Sequence, residues 1–242
     1  MSTEFRRRLA RRLDWQKGAH DPVREPRNLL PTLSPLRRWQ GARLATSFGD
    51  FLADPTRRPA AEFFLADLYG DRDFSARDRD AARVLPAMAR FLPDSLLRAA
   101  TDAIELAVLS HALDLRMAEA LARRPDPNAP LSDADYGAAY RAVGLPRLRR
   151  HQIALILRVG HALDAAVRTH GVAKLLRAAR LPAQLAGLSE LQAFLERGFT
   201  AFGALGGAGP FLRDLGKRET RVSQRLFAAH PRPFDQPNSS SR

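Results

Sequence analysis

The chain has 242 residues, with 39 basic against 26 acidic side chains for a net charge of +13, and no cysteine. That length can bury a sizeable core, as one large domain or two small ones. The absence of cysteine excludes disulfide frameworks, thiolate zinc sites and cysteine nucleophiles, and 45% apolar with 27% charged residues is a globular composition rather than a disordered one.

No stretch approaches the roughly 18 uncharged apolar residues of a membrane-spanning helix. The longest uncharged run includes Phe199 to Leu212, a stretch that holds four glycines and a proline. The basic N-terminus has no apolar stretch behind it, so it does not read as a secretory signal, and Glu4 and Asp14 count against an organellar presequence. Arginine outnumbers lysine 36 to 3, a bias that reads as a GC-rich bacterial genome and a cytoplasmic protein.

Taken in order, the elements are helical, and no period-2 strand stands out. Phe5, Leu9 and Leu13 share a face of a first helix ringed by Arg6, Arg7, Arg8, Arg11 and Arg12. Pro22, Pro26, Pro31 and Pro35 make residues 18–35 an extended linker. A second helix carries Leu36, Trp39, Leu44, Phe48 and Phe51 and stops before Asp54-Pro55. Pro59 suits the first turn of a third helix, Ala60 to Tyr69, and Gly70 its C-terminal cap. Ser75 and Asp78 form a capping box for a fourth, with Val84, Leu85, Met88, Phe91 and Leu92 as its stripe and a kink at Pro86.

The fifth helix, about Asp94 to Arg123, has charged ends and an uncharged centre from Leu106 to Leu113. A helix apolar all round is one surrounded by others, so this centre is the expected buried axis. Ser132 and Asp135 cap a helix with Tyr136, Tyr140 and Val143, closed by Gly144. A long helix from Pro146 to His170 follows, its stripe Leu148, Leu155, Val159, Leu163 and Val167, capped by Gly171. A short one ends before Pro182, Ser189 and Gln192 open another, and Pro210 starts the last after a glycine cluster. The expected architecture is all-α: one bundle-like domain of about eight to ten helices over 36–228. A basic arm and linker over 1–35 precede it, and a disordered tail over 229–242 follows.

Charge is uneven along the chain. Residues 1–60 carry +7, 61–120 carry −4, 121–180 carry +7 and 181–242 carry +3. A positive surface attracts polyanions and acidic surfaces. The blander reading pairs the arginines internally with the acidic block.

Few residues offer chemistry. His151, His161 and His170 are spaced by 10 and 9, which is no metal-ligand spacing on a helix; no metal site is expected. His111 lies in the uncharged centre of the fifth helix, with Asp114 three residues on and Ser110 adjacent. A buried imidazole with a carboxylate neighbour could serve as an acid/base or an axial haem ligand, or simply be hydrogen-bonded. A calcium loop read from Asp71 fails at Ala76 and Ala82. The glycine cluster follows a helix rather than a strand, so it is no dinucleotide fingerprint. No motif requires a cofactor. The arm's Arg6, Arg7, Arg8, Arg11 and Arg12 are the best candidates for gripping a polyanion or an acidic surface.

The heptapeptide Phe63-Phe64-Leu65-Ala66-Asp67-Leu68-Tyr69 resembles the signature of a bacterial family named for its FFLEELY motif, with Ala66 and Asp67 in place of the two glutamates. Trp39 and the stretches RVLPAMARFLP and AIELAVLSHALDLRMAEAL are similar too, so the likeness covers most of the chain from about residue 36. The resemblance implies an uncharacterised protein, not a reaction. On helical spacing, Phe64 and Leu68 should anchor the core, leaving Phe63 or Tyr69 to meet a neighbouring helix or a partner. Two functions follow as expectations. The first is a non-enzymatic helical protein binding a protein or anionic partner, through the arm or an aromatic groove at Phe63–Tyr69. The alternative is an apolar, haem-like cofactor or small ligand held in the core near His111 and Asp114, with catalysis as an extension.

Overall fold

The computed structural model describes residues 3–68, 80 and 94–236, with side chains from Arg11 onward except Leu13, Leu68 and Asp94. Among the described residues there are ten α-helices and no strand. They are α1 (Thr3–His20), α2 (Leu33–Ser47), α3 (Gly49–Ala53), α4 (Arg58–Phe63), α5 (Asp94–Leu121), α6 (Asp133–Val143), α7 (Pro146–Arg168), α8 (Val172–Leu185), α9 (Ser189–Ala204) and α10 (Gly209–Phe227). The expected all-α class is therefore the observed one. The helix expected to start at Ser75, its stripe around Pro86, and the cap at Gly70 lie outside the described residues.

Helix α5 is the axis. It packs against α1, α2, α6 and α7. No residue from Leu106 to Leu113 is exposed, and Val108 and Leu113 are 0% and 1% accessible. Two apolar clusters meet along it. Leu106, Leu109 and Leu113 join α2, α3, α4, α7, α9 and α10 through Phe51, Phe64, Leu155, Phe202 and Leu212. Leu115, Met117 and Leu121 join α2, α6 and the end of α10 through Leu36, Tyr136, Tyr140 and Leu226.

Helix ends follow local chemistry. Ser132 and Asp135 make the expected reciprocal capping box of α6. Gly144, at φ 67°, and Leu145, at φ 63°, are consecutive left-handed residues that turn α6 sharply into α7. For Leu145 that conformation is costly, and it is held by the packing of both helices.

Several elements differ from the periodicity reading. Residues 18–35 are not an extended linker. Helix α1 continues to His20, and after a turn Pro26–Leu29 form a 3-10 helix. Pro26 opens that helix and Pro35 sits in the first turn of α2, where a missing amide costs nothing. Thr32 then donates a hydrogen bond to the Ala118 carbonyl (2.7 Å). The third helix widens into a π-turn over Phe64–Leu68. Helix α8 runs through Pro182. The carbonyl freed at Ala178 lies on an exposed residue, on the solvent side of the helix. Ser189 does not cap α9; Gln192 instead donates to the Leu176 carbonyl (2.7 Å) and so ties α9 to α8. Leu148, read as part of the stripe of α7, is 41% exposed, while its neighbour Arg149 is buried. Packing extends past residue 229 as well: Phe234 meets Trp39 edge-on at 5.6 Å, with the Arg43 guanidinium 5.2 Å from its ring.

Helices α7 and α10 run antiparallel and interlock through reciprocal glycine–leucine contacts. A Cβ on Gly160 would lie 2.5 Å from Leu212 Cδ2, and one on Gly216 would lie 2.9 Å from Leu157 Cδ1. Glycine in a helix interior costs up to about 1 kcal/mol, so the close approach of the two backbones must outweigh it. Gly160→Val should therefore lower unfolding free energy by about 1–3 kcal/mol through overpacking against the fully buried Leu212. Chemical denaturation checks this, and an unchanged midpoint would show that the contact is loose.

Candidate functional site

The one side chain in the uncharged centre of α5 that is both polar and buried is His111, 5% accessible. Arg37 of α2 donates from Nη2 to His111 Nδ1 (2.8 Å), which leaves Nε2 to carry the proton and donate to the Ala19 carbonyl (3.0 Å). The His20 ring lies flat on the imidazole, with centroids 4.0 Å apart and planes 14° from parallel. Burial, then His20, then Arg37 push the His111 pKa down to about 3. The side chain is a neutral imidazole locking the C-terminal end of α1 onto α5.

Asp114, expected beside it, is reached through Arg37 rather than directly. Arg37 Nε is 3.9 Å from its carboxylate, and Gln40 donates to it at 3.2 Å. Burial pushes the Asp114 carboxyl above its ordinary value, against the pull of Arg37. Ser110 turns elsewhere and accepts from Gln152 (2.8 Å). Both ring nitrogens are engaged and one face is covered by His20, so neither nitrogen presents a free lone pair.

Phe63 is 7% accessible and meets Phe194 of α9 at 5.4 Å, and it lies so close to Gly198 that a Cβ added there would be 2.8 Å from its ring. It meets a neighbouring helix, not an open groove. Tyr69 lies outside the described residues. Asp67, the one acid kept in the heptapeptide, takes Nε (3.1 Å) and Nη2 (2.6 Å) of Arg197 and ties the π-turn to α9.

The arm's arginines divide. Arg12 is bonded to Glu105 of α5, which also accepts from His151 (2.7 Å). Arg11 is exposed, and the side chains of Arg6, Arg7 and Arg8 lie outside the described residues. The acidic block is answered from many elements: Asp102 by Arg158 (2.9 Å), Asp114 by Arg37, and Glu119 by Arg27 (3.5 Å) and Arg123 (2.8 Å). Much of the arginine excess is thus internal stapling.

Two features escaped the periodicity reading. The first is a groove of about 520 Å³ between α7 and α10, floored by Leu157 and Gly216 and edged by Arg213, Lys217, Thr220 and Arg221. The three cations recur at i, i+4 and i+8, a spacing visible in the sequence. They have no carboxylate partner among the described residues. The second is Arg149, 6% accessible in the first turn of α7, whose guanidinium lies 4.4 Å from the Tyr140 ring. Helical spacing could not find it, because it sits one residue from the apparent apolar stripe.

A family model described as a domain of unknown function (DUF8198) matches residues 19–233. The chain belongs to that family. No curated protein and no solved structure matches it.

The pH behaviour of the His111 lock follows from its surroundings. The groups facing it are His20 and Arg37, with Glu25 and Asp114 as the acids in reach. Its folded pKa of about 3 lies below the ordinary 6.5. The unfolded chain therefore binds the proton first, and stability is lost as pH falls below 6.5 toward 3, by up to about 1.4 kcal/mol per pH unit. Asp114, with its raised value, works in the opposite sense and blunts the loss at the acid end. His111→Gln should fold less stably at neutral pH yet lose about 2 kcal/mol less than the parent between pH 7 and 4.5. Urea titrations at the two pH values measure the difference; equal losses would show that His111 titrates freely in the folded chain.

Proposed function

We propose, with that family membership as the premise, that the chain is a non-enzymatic helical protein that binds an acidic helix of a partner in the groove between α7 and α10. One observation carries this reading: Arg213, Lys217 and Arg221 line a single groove without a carboxylate partner among the described residues, whereas arginines elsewhere are widely paired. Residues four apart on a helix are separated by about 6 Å along its axis, so acids at the same spacing on a second helix would match all three cations. The floor of Leu157 and Gly216 favours a partner that brings apolar side chains between its acids, as an amphipathic helix does. A nucleic-acid backbone would use the cations and leave that floor idle. Arg11 on α1 is exposed as well and serves in this reading as a secondary cationic contributor. We keep the bacterial cytoplasm, and the likeness of Phe63–Tyr69 to the FFLEELY-motif family, as the context of this reading.

The test is fluorescence anisotropy with a synthetic amphipathic helix carrying glutamate at every fourth position and leucine between. Binding should weaken steeply with added salt. It should be abolished by joint Lys217→Glu and Arg221→Glu and change little with Arg11→Glu. Binding that survives the double reversal would refute the groove assignment, and preferential binding of a DNA strand of equal charge would replace the helix by nucleic acid. Charge reversal is the cleaner perturbation, because deleting α1 would uncover α5.

A further inference from the structure

The guanidinium of Arg149 is enclosed, yet its Nε and Nη2 have no hydrogen-bond partner, while Nη1 donates to Gln152 Oε1 (3.3 Å). Buried donors left unmade cost about 1–3 kcal/mol each, and more when charged. The two open donors form one edge of the guanidinium fork. Elsewhere in this chain the same edge takes a carboxylate: Arg158 on Asp102 (2.9 and 3.3 Å), Arg180 on Glu196 (2.9 and 2.7 Å) and Arg27 on Glu25 (2.8 and 2.6 Å). Two carboxylates act in its neighbourhood, Asp114 on Arg149 itself and Glu219 on the Tyr140 that Arg149 covers, and both are committed to other partners. Asp114 is held by Arg37 and Gln40, and Glu219 by Arg43 (3.2 Å). Arg149 also stands in the first turn of a 23-residue helix whose N-cap, Leu145, supplies no side-chain acceptor, so the helix's positive end adds to the demand for an anion.

We infer that the edge of Arg149 formed by Nε and Nη2, at the start of α7, is a binding site for the carboxylate of a small ligand. Its two parallel N–H groups match a planar carboxylate. The Tyr140 ring under the guanidinium fixes the plane, and Gln152, itself donating to Ser110, fixes the rotation. The nearby Asp114 and Glu219 favour a singly charged carboxylate over a doubly charged phosphate. This site is separate from the outer groove and stands or falls without it.

The experiment is thermal unfolding of the full chain during titration with sodium acetate, and separately with inorganic phosphate, at constant ionic strength. Acetate should raise the midpoint of the parent saturably and leave Arg149→Met unmoved. The methionine variant should fold, since replacing a buried unpaired charge by an apolar side chain of similar length is often neutral or stabilising. Arg149→Lys keeps the charge but loses the paired edge, and should weaken the apparent acetate affinity about tenfold. In the parent alone, the Arg149 Nε–H resonance should move with acetate along the same saturation curve. Equal responses of parent and Arg149→Met, or no response of the parent, would overturn the site. A response to phosphate but not to acetate would overturn the carboxylate assignment, and undiminished affinity in Arg149→Lys would overturn the paired-edge geometry.

Discussion

A helix can be surrounded on every side only if each polar group in its buried length is answered from another element. Helix α5 meets that requirement at His111, where Arg37 from α2 and the Ala19 carbonyl from α1 take the two ring nitrogens. The same arginine reaches on to Asp114. One guanidinium thus satisfies two polar side chains of the axis and brings α2 to it, while the Ala19 carbonyl brings α1. An unpaired imidazole at this depth would have cost the desolvation of both nitrogens. With that cost removed, one apolar cluster continues along the axis on both sides of His111 through Leu109 and Leu113, and the other takes over from Leu115.

Arginine does this work throughout the molecule. Its planar fork makes paired hydrogen bonds, so a single side chain can both neutralise a carboxylate and fix its direction. Arg197 pins the π-turn through Asp67, Arg43 joins α2 to α10 through Glu219, and Arg218 joins α10 to α3 through Asp50 (2.6 Å). Such pairs are worth little each when exposed, so their value here is in register between helices rather than in gross stability. Against this background the arginines that are not so used stand out: Arg213 and Arg221 with Lys217 along the outer groove, and Arg149 within.

The interlock of α7 and α10 has a functional consequence. Because Gly216 and Gly160 let the helices approach closely, their outer edges leave a shallow trough instead of a ridge of side chains. The basic residues of α10 rise beside that trough. The feature that holds the two helices together therefore also shapes the surface that a partner would meet.

Much of this was legible in the sequence. The all-helical class, the enclosed stretch around Val108, the Ser132–Asp135 cap and the helix end at Gly144 follow from spacing and from local backbone chemistry, which act over a few residues. The path of residues 18–35, the continuation of α8 through Pro182 and the π-turn at Phe64–Leu68 depended on contacts with distant elements, which can outweigh local propensity. His111 was rightly placed inside, but its role was decided by Arg37, Ala19 and His20, 74 to 92 residues away along the chain. The sequence by itself determined that the chain is helical and which stretch lies buried at its centre. Only the tertiary structure decided which arginines are spent on internal carboxylates and which are left to meet another molecule, because that depends on which helix faces come within hydrogen-bonding distance, a property no local pattern records.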